Sequence, residues 1–203
     1  MKIICVGRNY AAHAKELNNA VEEEPVIFLK PDTALLSNNQ DFYLPDFSND
    51  IHYEAEVVVK INKPGKHIDE KFANRYYDSI SVGVDFTARD LQSMLKAKGL
   101  PWERAKAFDG SAVIGSFLPL AEVGNIADLD FSMNLNGQKV QSANTSEMVF
   151  SVDKVIAFVS RFITLKTGDL IYTGTPQGVG KVNVGDHLIG YVGDKELFNF
   201  KVK

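Results

Sequence analysis

The chain contains a single cysteine, Cys5, so an intramolecular disulfide is excluded and a reducing compartment suits it. Long apolar runs are missing as well. Met1 to Val6 stops at Gly7-Arg8, too short for a signal-peptide core or a bilayer span. There is no basic excess: 22 Lys and Arg face 26 Asp and Glu, and a net charge of −4 gives no electrostatic footprint for nucleic acid. Proline (7) and glycine (15) are too sparse for a low-complexity or fibrous chain, and no internal repeat is visible. What remains is an ordinary globular composition, 45% hydrophobic and 24% charged, over 203 residues. That length suits one sizeable domain, residues 1–203. The expectation is a soluble cytoplasmic protein with neither a nucleic-acid nor a membrane partner.

The densest chemistry lies in His52-Tyr53-Glu54-Ala55-Glu56, which runs into Val57-Val58-Val59. The β-branched run predicts a strand from His52 to Ile61, bracketed by the breakers Pro45 and Pro64-Gly65. Side chains two apart share a strand face, so His52, Glu54 and Glu56 are expected to project together. An isolated pattern of this kind equally describes a solvent-facing charged face. The three valines favour burial. Two buried carboxylates repel each other and each is costly to desolvate. A hard, oxygen-preferring cation such as Mg2+ or Mn2+ removes both penalties. Asp85, near the end of a predicted buried strand from Ser79 to Thr87, is either hydrogen-bonded structurally or ionised against a cation, and is the candidate third ligand.

Other residues carry weaker signals. The predicted helix from Arg8 to Leu17 places His13 and Glu16 three apart on one face. A carboxylate there can hold the imidazole in one tautomer and make it a general base, although an exposed salt pair fits the spacing equally. Asn18 to Glu24 is polar and reads as a connection that can close over substrate. Lys30 ends the apolar strand Val26 to Lys30, where it either snorkels to solvent or faces an anionic substrate. Lys106 sits among apolar neighbours and wants either an anionic partner or a lowered pKa. Asn136-Gly137 predicts a hairpin, and Val152, Val155, Ile156, Val159, Phe162 and Ile163 give an amphipathic helix with a core-facing stripe. Gly168-Asp169 and Gly185-Asp186 read as turns starting strands of a C-terminal meander. Thr173 to Gly180 is a turn-rich loop whose N–H groups and hydroxyls can hold a carboxylate, and it lacks the order of a phosphate-binding loop.

Taken together, the chain resembles the fumarylacetoacetate hydrolase family over nearly its whole length. The motifs are G-R-N-Y-x-x-H-x-x-E (Gly7 to Glu16), F-L-K-P (Phe28 to Pro31), H-x-E-x-E (His52 to Glu56), D-x-T-A-R-D-x-Q (Asp85 to Gln92), Lys106 within A-K-A-F-D, and T-G-T-P-x-G-V-G (Thr173 to Gly180). The chain is most similar to the small acylpyruvase and oxaloacetate decarboxylase branch. That resemblance implies a β-rich α+β fold, a roll or sandwich of mixed sheets with a few flanking helices, and a homodimer. It also implies Mg2+, with Mn2+ or Ca2+ as substitutes, on Glu54, Glu56 and Asp85, and a dyad of His13 and Glu16.

The activity so implied is hydrolytic cleavage of a carbon–carbon bond in a 2,4-dioxo acid, with oxaloacetate decarboxylation as a companion reaction. His13 would activate the water. Lys106, Gln92 and Thr175 would fix the pyruvyl portion, with Arg8 and Lys30 as further substrate contacts. An isomerase or hydratase acting on a dienoic 2-oxo acid such as 2-hydroxyhepta-2,4-diene-1,7-dioate is the nearer alternative. A non-catalytic protein stabilised by metal is the farther one.

Overall fold

A computed structural model describes residues 1–16 and 22–203. In chain order come β1 (Ile3–Gly7), α1 (Ala11–Glu16), β2 (Val26–Lys30), β3 (Leu35–Leu36), β4 (Ile51–Tyr53), β5 (Ala55–Ile61), β6 (Tyr77–Asp85) and β7 (Thr87–Ala88). The middle holds α2 (Arg89–Ala97), α3 (Glu103–Lys106), β8 (Ala112–Ile114), β9 (Leu118–Pro119) and α4 (Leu120–Val123). The remainder is β10 (Asp130–Leu135), β11 (Gln138–Asn144), α5 (Val152–Phe162), β12 (Leu170–Tyr172), β13 (Gly180–Lys181), β14 (His187–Val192) and β15 (Lys195–Lys201). The principal sheet runs β2-β1-β12-β5-β6-β8-β3, with β9 also paired to β6. A four-stranded sheet, β11-β10-β14-β15, and a three-stranded one, β13-β4-β7, complete a mixed, β-rich architecture with few helices.

Period-two alternation divides the principal sheet into two faces. Ile4, Val6, Val57, Val59, Ile80, Val82 and Val84 point into the large core, which α5 and the four-stranded sheet cover. Ile3, Cys5, Val58, Ile114, Leu170 and Tyr172 form a smaller cluster on the other face. By the same alternation, and by the pairing of Ile3 with Lys30 and of Ala55 with Val84, residues Lys30, Glu56 and Asp85 also lie on that second face. A small apolar cluster thus floors the polar site.

Local expectations hold in most places. Asn136 and Gly137 adopt φ of 52° and 81°, the left-handed pair that a two-residue hairpin requires. Ser151 caps α5 by accepting from the Lys154 N–H.

Three expectations need correction. The stretch His52 to Ile61 is two strands in different sheets, broken at Glu54. There the Ala55 N–H donates to the Gln141 side chain at 2.8 Å, so the ladder is interrupted. His52 pairs with Asp50 at 3.0 Å and takes no part in the carboxylate cluster. Next, Leu170 to Tyr172 does not belong to a C-terminal meander. It inserts between β1 and β5, parallel to β1. Its three side chains are buried, which suits a central strand covered on both faces. Finally, Phe162 is 58% exposed at the last turn of α5, packing on Phe158 with centroids 5.3 Å apart.

Candidate active site

The break at Glu54 and the alternation along β5 and β6 bring three carboxylates together. One oxygen each from Glu54, Glu56 and Asp85 lies within 4.8 Å of the others, and all three residues are buried. The surrounding charges are unevenly shared. Lys106 Nζ lies 2.7 Å from Glu54 Oε2 and 2.8 Å from Asp85 Oδ2. Arg89 Nη2 lies 2.5 Å from Glu54 Oε1, and Lys30 Nζ lies 2.6 Å from Asp85 Oδ1. Glu56 has only the Gly174 N–H, at 2.7 Å, and no ion pair among the described residues.

The ionisation of the cluster follows from this. Burial pushes the Glu54 carboxyl up, but the Lys106 and Arg89 charges more than offset it and hold it below the usual range. Burial raises Glu56, and the charges of Asp85 and Glu54 push it further up. Lys106 is raised despite burial, because Asp85 and Glu54 favour its ammonium. One buried carboxyl therefore lacks a counter-charge beside two that have one. A divalent cation held by the three side chains supplies it, and an all-oxygen donor set suits a hard ion.

His13 forms one wall, with Nδ1 at 3.1 Å from Glu16 Oε2. Glu16 is anchored in turn by the Gly178 N–H, 3.0 Å from Oε1. The Thr173–Gly180 loop does hold carboxylates, namely the protein's own Glu56 and Glu16. Gly174 makes this possible with φ of +103°, where a Cβ would stand 2.7 Å from Asn9 Cβ and 3.1 Å from the Val6 carbonyl oxygen. Gly174→Ala is therefore expected to cost about 1–3 kcal/mol of stability. It should also weaken divalent-cation binding, because the N–H that holds Glu56 moves. Thermal unfolding and a metal titration of the variant test both.

Eight of the ten residues expected from sequence line one cleft: Arg8, His13, Glu54, Glu56, Asp85, Gln92, Lys106 and Thr175. Glu16 stands behind His13. Lys30 does not line this cleft: its Nζ is taken by Asp85, by the Ser111 carbonyl at 2.7 Å and by Ser111 Oγ at 3.0 Å. Alternation along β2 turns it inward beneath Asp85. Thr175 Oγ1 accepts from Gln141 Nε2 at 2.9 Å. Arg8 has a left-handed backbone, φ 60°, and pairs with Glu22. Of the expected closing segment Asn18 to Glu24, residues 18–21 lie outside the described residues.

Sequence reasoning missed Arg89, which joins Glu54 to Gln92 through Nη1 at 2.7 Å from Gln92 Oε1. The signal was present, since Arg89 lies inside the D-x-T-A-R-D-x-Q run, three residues before Gln92. Lys96, Trp102 and Phe28 also line the cleft without having been singled out.

Known proteins resemble the chain over nearly its whole length. The fumarylacetoacetate (FAA) hydrolase C-terminal family profile matches residues 2–197. The chain is 41% identical to an oxaloacetate tautomerase of Escherichia coli (strain K12), covering 92% of this chain and 86% of the relative. It is 43% identical to a mitochondrial oxaloacetate decarboxylase of Dictyostelium discoideum, covering 91% and 85%. A crystal structure of fumarylpyruvate hydrolase from Pseudomonas aeruginosa, in complex with Mn2+ and pyruvate, superposes with a TM-score of 0.94 at 38% identity, covering 100% of this chain and 89% of that one. The chain belongs to the fumarylacetoacetate hydrolase family.

Proposed function

We propose that this protein, acting as one catalytic domain, is a divalent-cation-dependent enzyme of small 2-oxo acids. Its central act is making and quenching an enolate. With oxaloacetate the outcome is keto–enol interconversion and decarboxylation. With a 2,4-dioxo acid it is hydrolytic carbon–carbon cleavage. The observation that carries the reading is the convergence of Glu54, Glu56 and Asp85, within 4.8 Å, in a cleft that His13 also lines. The relatives' names support oxaloacetate first, and the fumarylpyruvate hydrolase structure supports hydrolysis as the second reading.

Glu54, Glu56 and Asp85 would hold the cation. When bound, it supplies fixed positive charge where the 2-oxo oxygen gains negative charge. The rest falls to side chains. His13 has Nδ1 turned to Glu16, which leaves Nε2 to take a proton from C3 or from a water in the cleft. Lys106 spends two of its three N–H donors on Glu54 and Asp85 and keeps one for a substrate oxygen. Gln92, whose Oε1 accepts from Arg89, keeps its amide N–H for the same end of the substrate. Thr175 and Arg8 line the same cleft, and Arg8 pairs with Glu22.

The same reading includes Mg2+ as the native ion, with Mn2+ or Ca2+ as substitutes, a cytoplasmic setting and a homodimer. Supporting the dimer, Met1, Leu29 and Phe47 are exposed and line one apolar groove with Phe108. No helix among the described residues is long and apolar enough to cross a membrane.

The test uses purified protein with Mg2+ or Mn2+, oxaloacetate in one cuvette and acetylpyruvate in another. Faster decay of enol absorbance and release of pyruvate are expected with oxaloacetate, and slower loss of the dioxo absorbance with acetylpyruvate. Chelator should abolish both. Bound metal with neither substrate altered would overturn the reading.

A further inference from the structure

The proposed chemistry leaves one cation of the cleft unused. Arg89, Gln92 and Lys96 are spaced i, i+3, i+7 along α2, so all three lie on one helix face. All three line the cleft. Arg89 and Gln92 are tied to Glu54, directly and in series. Lys96 lies about 10 Å along the helix axis from Arg89 and about 6 Å from Gln92. Its Nζ sits over the Trp102 indole, 5.3 Å from the centroid, and the Phe28 ring packs on that indole at 6.1 Å. The ammonium is half-buried against an aromatic wall and makes no ion pair among the described residues. Burial and the charges of Arg8, Arg89 and Lys106 all disfavour its protonated form, and a bound anion would relieve that.

Charge balance points the same way. Five carboxylates line the cleft or pair with the residues that do: Glu16, Glu22, Glu54, Glu56 and Asp85. They are matched by five basic side chains, Arg8, Lys30, Arg89, Lys96 and Lys106. The two charges of a divalent cation are then left over. A substrate monoanion balances one of them, and a dianion balances both. In a partly desolvated cleft that difference decides selectivity.

We propose that Lys96 recognises a second carboxylate on the substrate, so that the cleft selects 2-oxo dicarboxylates over 2-oxo monocarboxylates. The inference rests on the reading of this cleft as a 2-oxo acid site and adds which member of that class it prefers. One carboxylate goes to the Lys106 and Gln92 end. The other goes to Lys96, whose stem the Trp102 ring supports.

The experiment compares the parent with Lys96→Met, which keeps the apolar stem, and Lys96→Arg, which keeps the charge. In Lys96→Met the ratio of kcat/KM for oxaloacetate to that for acetylpyruvate should fall about 10- to 100-fold, the scale of a lost charge-assisted hydrogen bond. The loss should lie in KM, and Lys96→Arg should recover most of it. An unchanged ratio, or equal losses on both substrates, overturns the inference. Calorimetric titration of the Mn2+-loaded protein with pyruvate and with 2-oxoglutarate gives a readout free of turnover. Selective loss of the dicarboxylate in Lys96→Met supports the proposal even if neither substrate is turned over, a result that would overturn the proposed activity alone. Equal binding of both by parent and variant overturns the inference whatever the activity.

Discussion

Glu56→Gln is expected to cost roughly a thousandfold or more in turnover while leaving the metal-free protein at least as stable as the parent. The two effects have one cause. Glu56 is buried beside Asp85 and Glu54 and has a single donor, the Gly174 N–H, where its two neighbours have lysine or arginine partners. Burial, then the two neighbouring charges, raise its carboxyl well above the usual range. A group whose pKa is raised on folding contributes stability at low pH, and that contribution is lost as pH rises through the raised value. The metal-free parent should therefore lose stability on that climb, and the glutamine variant should lack that part of the slope. Glutamine keeps the shape and can still accept from Gly174, so the fold survives. It cannot supply the charge that attracts a divalent cation. The rise in melting temperature on adding Mg2+ or Mn2+, a direct measure of binding to the folded state, should shrink accordingly. Unfolding curves across pH, with chelator and with metal, check all three expectations. A metal-free variant far less stable than the parent would show that Glu56 carries its charge at ease in the native state.

How much of this was readable beforehand depends on the distance over which each partner acts. Glu54 and Glu56 stand two apart in sequence, and His13 and Glu16 three apart, so local periodicity placed each pair on one side. Asp85 was readable because a lone acid in an apolar strand demands a partner. The hairpin at Asn136-Gly137 and the cap at Ser151 are local too. The partners of Lys30 were hidden for the opposite reason. Alternation puts it on a definite sheet face, but nothing local says that Asp85, 55 positions away, lies on that same face with Ser111 closing over both. The Gly174 N–H meets Glu56 across 118 positions. The insertion of Leu170 to Tyr172 between β1 and β5 is likewise decided by what the rest of the sheet leaves uncovered. The break at Glu54 depends on Gln141, a residue of a different sheet. Arg89 shows a milder failure. Its spacing to Gln92 was plain, but an arginine opening a helix has so many solvent-facing precedents that only its contact with Glu54 sets it apart.

His13→Ala should lower kcat for acetylpyruvate hydrolysis, and for oxaloacetate keto–enol interconversion, by about a hundredfold to ten-thousandfold, the usual worth of a positioned acid–base group. Metal affinity and melting temperature should change little. The side chain hydrogen-bonds only to Glu16 among the described residues, and it belongs to a short helix on the wall of the cleft, apart from β5, β6 and the break at Glu54 that hold the three carboxylates. Oxaloacetate decarboxylation should be spared most, because loss of CO2 leaves the enolate directly and no proton need be removed first. Glu16→Gln tests how the ring is held. The amide can still accept from the Gly178 N–H, as Glu16 Oε1 does, so the loop stays anchored. What disappears is the carboxylate beside Nδ1 that holds the ring in one tautomer and orientation. A smaller loss in kcat than in His13→Ala is expected, with little change in KM. Equal losses in all three reactions after His13→Ala would assign His13 to a step they share, substrate binding or protonation of the enolate, and would remove it as the group that activates the water or takes the C3 proton. A selective loss ties the proton to His13 and leaves the buried carboxylates, with whatever ion they hold, as the common ground of the three reactions.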